Sequence, residues 1–155
     1  MQIFDHLSAL PDAIHAIRSI RPRIAFVDYL QLLYAGDSEE NRAAQVTKIS
    51  RALKLLSTEL DIPIVALAQI NREAEKAARS PRLSDLRESG SIEQDADVVL
   101  FLSRKPDEEE FDEQDISLDV AKNRNGPTGR TTLVFKRNLQ QWREKEQRDE
   151  NRPPF

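Results

Sequence analysis

The apolar positions along the chain first recur at helical spacing and then form a short continuous run. From Ile14 to Ile20 an isoleucine returns at every third position, and Pro11 suits the first turn of a helix. We therefore predict a helix over residues 10–20. Residues 24–27 (Ile-Ala-Phe-Val) are apolar throughout, which is typical of a strand covered on both faces in a parallel sheet.

The clearest amphipathic pattern predicts a long helix over residues 38–60. Its apolar residues step by three and four positions: Val46, Ile49, Leu53, Leu56 and Leu60. Asp37 or Ser38 is the expected cap at its start, and Pro63 prevents its continuation. Residues 62–68 form a second apolar run, so the order strand, helix, strand predicts a parallel βαβ crossover.

Further apolar runs predict three more strands in the second half of the chain. Residues 98–102 form one of them. Residues 116–121 and 131–135 flank the pair Asn125-Gly126, which favours a β-hairpin. The expected fold is α/β, with a mostly parallel sheet flanked by helices and a C-terminal β-hairpin.

Two charged segments are not expected to belong to this core. Residues 107–115, the acidic segment, contain seven acidic residues and no Lys or Arg, and we interpret residues 106–115 as a solvated loop. Residues 137–155 are also highly charged, with Trp142 as the residue suited to anchor them. We therefore predict a domain over residues 1–136 and a charged tail, helical at first, over residues 137–155.

Composition and charge narrow the class of protein without deciding its ligand. The 155 residues include no cysteine, which excludes disulfides and thiolate metal ligands. No apolar run approaches the roughly 20 residues that span a bilayer, and no export signal is evident, so we expect a cytoplasmic protein. The formal net charge is −4 but becomes +3 without the acidic segment, so nucleic-acid binding stays open.

Polar residues stand where the two predicted parallel strands end. Asp28 follows residues 24–27 directly, and Gln69 follows the apolar residues of the next strand. Ligands of open α/β sheets bind at the carboxyl ends of strands, where a carboxylate can hold Mg²⁺ through water and an amide can contact a phosphate. The simpler interpretation, an ordinary polar residue at the end of a strand, stays open for both.

Two further stretches carry candidate phosphate ligands. Residues 84–95 are polar and lie between predicted buried strands, so Arg87 and the backbone amides near Gly90 could hold a nucleic-acid backbone. Lys122 and Arg124 stand two positions apart before the predicted hairpin turn, so they could project together from a strand onto a phosphate. The alternatives are a solvated linker with a short helix from Ser91 for the first stretch and a charged sheet edge for the second.

Four stretches, in this order, resemble the C-terminal motor of DnaB-type replicative helicases. They are residues 24–32 (IAFVDYLQL), 67–72 (LAQINR), 84–102 and 121–129 (AKNRNGPTG). The first resembles the Walker B segment of the family and the last its arginine-finger hairpin. The resemblance implies part of a RecA-like motor domain, which works in an ATP-driven hexameric ring that encircles single-stranded DNA and unwinds duplex.

The same resemblance implies roles for individual residues. Asp28 would be the Walker B carboxylate associated with Mg²⁺, and Gln69 would couple the nucleotide to the DNA-binding loop. Lys122 and Arg124 would reach the ATP site of the neighbouring subunit. Three residues would line the central channel and follow the DNA backbone: Arg87, Glu88 and Gly90. Primase and a helicase loader are the further partners that the family implies.

The sequence departs from the family pattern in its phosphate-binding loop. No Gly-x-x-x-x-Gly-Lys-Ser/Thr occurs, because none of the 4 glycines is followed by Lys, and no counterpart of the family's catalytic glutamate is evident. We therefore interpret the chain as part of a larger helicase that binds ATP and Mg²⁺, and expect this chain alone to bind neither and to be inactive. The alternatives are a helicase-like adaptor without enzymatic activity, which binds DNA or a helicase ring, and half of a RecA-family recombinase or regulatory ATPase.

Overall fold

Helix α1 spans Leu10–Ile20, the segment that the isoleucine spacing predicts, and Arg21 ends it in a left-handed backbone conformation. The elements of the chain fall into two compact units, with the helices and parallel strands in the first and four antiparallel strands in the second. The structure is a computed structural model, and it describes residues 1–36, 41–70, 79–104 and 112–145.

Helix α2 spans Arg42–Leu60, so the predicted end is confirmed and the predicted start is wrong. The helix begins after Asn41, whose Oδ1 accepts from the backbone N–H of Ala43 at 2.7 Å and of Ala44 at 3.3 Å. Those two amides have no partner within the first turn of a helix, and an Asn side chain satisfies them well. The caps predicted from Asp37 or Ser38 lie outside the described residues.

The predicted apolar stripe of α2 forms the core of the first unit. Four of its residues are buried: Val46, Ile49, Leu53 and Leu56. Ile49 and Leu53 cluster with residues of α1 and of the segment after the first strand, which are Leu10, Ala13, Leu30 and Leu33. Leu60 is only half-buried at the end of the helix. Spacing by three and four positions therefore identified the buried face correctly.

The first two strands pair with each other in parallel, and helix α2 connects them. Strand β1 spans Ala25–Val27 and strand β2 spans Ile64–Ala66, and α2 connects them, so the predicted βαβ crossover is confirmed. A 3₁₀ turn, Leu30–Leu32, lies between β1 and α2. The carboxyl ends of both strands consequently meet at one edge of this small sheet, as the sequence predicts for its two polar strand ends.

Residues 83–95 are largely helical, and the short helix expected from Ser91 is confirmed, with its start at Gly90. A 3₁₀ segment, Leu83–Ser89, is followed by helix α3, Gly90–Asp95. Leu86 is 7% exposed, and Ile92 packs against the core cluster of the first unit. Two apolar side chains six positions apart thus anchor this segment. Two isolated apolar residues do not form a periodic pattern, so the sequence alone did not indicate that they are anchors.

The second unit is an antiparallel sheet in the order β3-β4-β5-β6. Its strands are β3 Val98–Arg104, β4 Glu113–Asn123, β5 Gly129–Lys136 and β6 Gln141–Glu144. Strands β4 and β5 form the predicted hairpin. The α/β class is confirmed, and among the described strands the parallel pairing is confined to β1 and β2. A hairpin connection as short as the one after β4 permits only antiparallel pairing.

The sheet extends into the predicted charged tail. A 3₁₀ turn, Arg137–Leu139, leads to β6, which pairs with β5, so the helix expected at the start of the tail is wrong. Trp142 anchors the strand as predicted, with its ring centroid 4.6 Å from that of Phe135 on β5. Residues 146–155 of the predicted tail lie outside the described residues.

Part of the acidic segment is also strand rather than solvated loop. Glu113 begins β4, and its carboxylate pairs with Arg143 of β6 at 2.6 Å and with Lys136 of β5 at 3.5 Å. Asp115 pairs with Lys145. Cations from later in the chain thus face these acids, while residues 105–111 lie outside the described part. None of the described helices is long and apolar enough to cross a membrane.

Candidate functional site

Asp28 and Gln69 follow the two parallel strands at the same edge of the sheet. Asp28 comes directly after β1, Gln69 comes shortly after β2, and both residues are exposed. Backbone hydrogen bonds continue past the strand ends, since the Leu67 N–H donates to the Val27 carbonyl at 2.9 Å and the Leu30 N–H to the Leu67 carbonyl at 2.8 Å. The segments that carry the two candidate residues therefore remain side by side.

A residue without a predicted role, Gln31, contacts the backbone of Gln69 directly. The Nε2 of Gln31 donates to the Gln69 carbonyl at 3.0 Å, and the Gln69 N–H donates to Oε1 of Gln31 at 3.2 Å. Gln31 lies in the stretch that resembles Walker B, but no spacing rule connects it with a residue 38 positions away. Only the parallel pairing of β1 and β2 brings these two residues together.

Arg42, the first residue of α2, holds the segment that carries Gln31. Its guanidinium donates to the Gln31 carbonyl through Nη2, and through Nη1 to the Leu33 carbonyl at 3.3 Å and to Oε1 of Gln45 at 2.8 Å. Gln45 is 6% exposed, so one end of this network is in the protein interior. The fixed fork of donors in Arg suits such a contact with several oxygens.

The three candidate DNA-binding residues lie around the junction between the 3₁₀ segment and α3. Arg87 and Glu88 belong to the 3₁₀ segment and Gly90 begins α3. Their side chains are outside the part of the chain that the structure describes. Immediately before them, Asp85 accepts from the Arg82 N–H at 2.7 Å, which fixes the first turn of the segment.

Side-chain hydrogen bonds fasten α3 to α2. Ser91 Oγ donates to Thr47 Oγ1 at 3.2 Å, and Ser50 Oγ donates to Asp95 Oδ2 at 2.9 Å. Arg51 Nη1 lies 3.3 Å from Asp95 Oδ1. The Asp95 side chain is only 12% exposed, so its charge is compensated by partners rather than by water. Helix α2 consequently contacts both the segment after β1 and the candidate DNA-binding segment.

Lys122 and Arg124 lie at the end of β4 in the second unit. Lys122 is in the strand, opposite Val99 of β3, whereas Arg124 is the first residue of the turn, so the expectation that both project from a strand holds for Lys122 alone. The Arg124 N–H donates to the Asp97 carbonyl at 2.8 Å, and its Nε lies 3.5 Å from Asp97 Oδ1. Asp97 is a neighbour that the sequence did not indicate.

The turn after Arg124 is organised by the side chain of Asn123. Its Nδ2 donates to the Pro127 carbonyl at 3.2 Å, and its Oδ1 accepts from the Asn125 N–H at 3.4 Å. An Asn side chain that bonds the backbone two residues later is a common way to close a turn. The candidate arginine is therefore presented from a turn with its own hydrogen bonds and not from a free loop.

Asp28 is suited to supply one carboxylate to a Mg²⁺ ion whose other ligands are water and the phosphates of a nucleotide. No group of three or more His, Cys, Asp or Glu side chains is placed to hold a metal within the described residues. A protein site that supplies one carboxylate, with water and substrate phosphates as the other ligands, is usual for Mg²⁺ and unusual for a permanently bound ion. The exposed Asp28 thus suits an ion that arrives with its nucleotide.

The sequence matches the family described as DnaB-like helicase C terminal domain over residues 10–144. The replicative DNA helicase DnaB of Leifsonia xyli subsp. xyli is 49% identical over 116 residues, which cover 73% of this chain and 25% of that protein. The chain therefore spans about a quarter of the length of this curated relative. The family match over residues 10–144 includes all the helices and strands described above.

Solved structures agree with the sequence comparison. A structure described as an ATPase domain superposes with a TM-score of 0.78 and 34% identity, over 90% of this chain and 52% of that one. A DnaB-like replicative helicase, described with its interactions with primase, has a TM-score of 0.75 and 35% identity over 86% of this chain and 34% of its own. The chain belongs to the family of DnaB-like helicase C-terminal domains and forms part of their RecA-like fold.

Proposed function

We propose that this chain supplies part of the motor of an ATP-driven replicative DNA helicase. The observation that carries the proposal is the parallel β1–β2 pair, whose backbone bonds continue past the strand ends and keep the segments of Asp28 and Gln69 side by side. Nucleotides bind at that edge of α/β sheets. The chain belongs to the DnaB-like helicase C-terminal domain family, and its curated relative is a replicative DNA helicase, which supports ATP hydrolysis as the reaction at this edge.

On the nucleotide side, Asp28 would hold Mg²⁺ through water, and the ion would supply positive charge at the phosphates of ATP. Gln69 contacts the γ-phosphate end through its amide, which can donate to a phosphate oxygen or accept from water. Lys122 and Arg124 act on the ATP of the neighbouring subunit in a homohexamer, where a cation supplied across the interface stabilises the charge of the transition state. ATP and Mg²⁺ supply the driving reaction of the complete motor.

On the DNA side, Arg87, Glu88 and Gly90 follow the backbone of single-stranded DNA in the central channel. Binding through backbone phosphates is independent of sequence and weakens as salt rises. The fastening of α3 on α2 by Asp95 supports this assignment, because it gives the segment a rigid base from which to contact a phosphate. Primase, which the description of a structural relative names, and a helicase loader are the expected protein partners in the cytoplasm.

A hybrid helicase tests the proposal. Residues 10–144 of this chain replace the matching part of the Leifsonia xyli helicase, so that the remainder of that protein provides the rest of the motor. We expect hexameric rings that hydrolyse ATP faster in the presence of single-stranded DNA. In the hybrid, Asp28→Asn should lower turnover about 100-fold, because it removes a charge from the magnesium site. Arg124→Ala should lower it about 1000-fold.

The controls separate loss of chemistry from loss of structure. Rings must form and bind a fluorescent ATP analogue in each variant, and Arg130→Gln, which removes an exposed cation of β5 that pairs with Asp119, should leave turnover unchanged. The 155-residue chain by itself should hydrolyse no ATP. Rings that bind ATP and DNA without turnover would instead identify the chain as a helicase-like adaptor.

A further inference from the structure

We infer that Gln31 is a positioning residue that fixes the backbone of Gln69 at the nucleotide edge of the β1–β2 sheet. The inference rests on the proposed function of Gln69 and extends it to Gln31, to which the motifs above assign no role. Gln31 touches neither nucleotide nor DNA in this assignment. It acts through Gln69, whose position it determines.

The geometry of the contact is that of one further rung of a parallel ladder. The last backbone bond between the two segments joins the Leu30 N–H to the Leu67 carbonyl, and the chain then turns into the 3₁₀ segment Leu30–Leu32. At the next position, the side-chain amide of Gln31 takes the place of a peptide group. It donates to the Gln69 carbonyl at 3.0 Å and accepts from the Gln69 N–H at 3.2 Å.

Only a primary amide of this length satisfies both groups at once. Each backbone residue offers one donor and one acceptor, and Gln is a side chain that carries both on a single planar group. Glu in the same place accepts from the N–H of Gln69 but sets a carboxylate against its carbonyl oxygen. Leu keeps the approximate volume and loses both hydrogen bonds. These two substitutions therefore separate the donor from the acceptor.

Gln31 is itself held on both sides. Leu30, which precedes it, is 3% exposed within the core cluster. The Arg42 guanidinium donates to the Gln31 carbonyl and to the Leu33 carbonyl, and it also bonds Gln45, which is buried. The side chain of Gln31 thus starts from a fixed backbone, so its amide loses little freedom when it binds Gln69. Hydrogen bonds between groups that are already held in place stabilise a functional site more, because less conformational entropy is lost when they form.

The contact matters because Gln69 is exposed and lies beyond the last residue of β2. Without Gln31, the N–H and carbonyl of Gln69 would be bonded to water alone and the backbone there could move. A displacement of about 1 Å at a residue that contacts a reacting phosphate lowers turnover about 100-fold. Gln31 consequently affects the rate of the chemical step more than the affinity for ATP.

Hydrogen exchange of the 155-residue chain tests the structural half of the inference. We expect the Gln69 amide to exchange about fivefold faster in Gln31→Leu, because one hydrogen bond is lost. Gln31→Glu should protect this amide nearly as well as Gln31 does. The matched control is Gln141→Leu, which replaces an exposed glutamine of β6, and the Leu67 amide reports whether β2 is intact. An unchanged Gln69 amide in a folded Gln31→Leu chain would overturn the inference.

Kinetics of the hybrid helicase test the functional half. Gln31→Leu should lower kcat for DNA-stimulated ATP hydrolysis about 100-fold with less than about a twofold change in KM for ATP. Combined with Gln69→Ala it should have no further effect, because both changes remove the same contribution. Additive losses, or a normal kcat in Gln31→Leu beside a low kcat in Gln69→Ala, would overturn the inference. If Gln69→Ala is silent, the proposed role of Gln69 fails, and hydrogen exchange alone decides whether Gln31 positions its backbone.

Discussion

Two glycines near the turn between β4 and β5 have very different surroundings. A Cβ atom on Gly126 would stand 2.6 Å from Nδ2 of Asn123, closer than such atoms approach in proteins. A Cβ atom on Gly129 would meet nothing within 4 Å. A methyl group at position 126 would therefore have to displace the side chain of Asn123, while Gly129 has space for one.

We expect Gly126→Ala to destabilise the chain by about 1 kcal/mol. The added methyl must displace the Asn123 side chain, which bonds the Pro127 carbonyl and the Asn125 N–H. Thermal unfolding followed by circular dichroism measures the effect, with Gly129→Ala as the matched control. Equal melting temperatures for the two variants would contradict the steric account of this turn.

Residue by residue, the sequence identified strand ends better than it identified contacts. Asp28 and Gln69 could be selected because an apolar run that stops at a polar residue marks the end of a buried strand. Gln31, Arg42 and Asp97 could not be selected, because their contacts depend on which segments pair. A polar side chain has no periodicity that signals a partner far along the chain.

Among the elements, α2 connects the most parts of the first unit. Its N-terminal residues reach the segment after β1 through Arg42, and its middle holds α3 through Ser50 and Arg51. The hydrophobic stripe was predictable from spacing, whereas its start was not, because several polar residues before Arg42 could each have capped it. The true cap, Asn41, is distinguished only by its hydrogen bonds.

Two aspartates that are close in sequence should contribute differently to the free energy of unfolding. The Asp95 side chain is 12% exposed and bonds Ser50 and Arg51, whereas Asp97 is 48% exposed beside Arg124. We expect Asp95→Ala to lower the free energy of unfolding by about 2 kcal/mol, because charged hydrogen bonds that are shielded from water are strong. Asp97→Ala should lower it by less than about 1 kcal/mol. Chemical denaturation compares them, and the reverse order would contradict the docking of α3.

The pairing of α1 with α2 should depend on pH. Arg18 donates to both carboxylate oxygens of Glu59, at 2.9 and 2.6 Å. This hydrogen bond lowers the pKa of Glu59 below its ordinary value of 4.5 and raises that of Arg18. Because the pKa of Glu59 is depressed on folding, its stabilising effect is present above pH 4.5 and is lost as pH falls through the lower folded value.

An NMR titration of the Glu59 carboxyl carbon checks this prediction. We expect its midpoint below 4.5 in the parent chain and near 4.5 in Arg18→Gln. The stability difference between the two proteins should shrink as the solution is acidified below that value. A midpoint that is the same in both proteins would show that the pair does not persist in solution.

In the second unit, strand β6 lies where the sequence predicted a charged tail. Charged residues after Lys136 indicated a tail, but β6 pairs with β5 and its aromatic residue packs on Phe135. The acids at the start of β4 pair with Arg143 of β6 and with Lys145, which directly follows β6. Each charge run taken alone indicates a solvated segment, and only the strand pairing shows that they neutralise one another.

At the scale of the whole molecule, both units expose large apolar side chains. Phe26 of β1 is 67% exposed, and on β3 Leu100 and Leu102 are 55% and 58% exposed. Residues two positions apart on a strand share a face, so the two leucines form one apolar strip on an edge strand. Such strips promote association between chains.

We expect the 155-residue chain to self-associate as its concentration rises. Size-exclusion chromatography over a wide concentration range should show earlier elution at high concentration. Replacing both Leu100 and Leu102 with Lys should reduce the shift, because it places charges on the exposed strip of the edge strand. Elution that is independent of concentration in the parent chain would contradict this prediction.

We propose that Gln69, whose backbone lies beside the strand end that carries Asp28, couples ATP hydrolysis to DNA in a replicative helicase motor. The most direct test is the ratio of ATP turnover with single-stranded DNA to turnover without it, measured in hybrid rings that carry Gln69→Ala. We expect the variant to bind ATP and DNA like the parent hybrid and to lose the stimulation by DNA. A ratio equal to that of the parent hybrid would contradict the account.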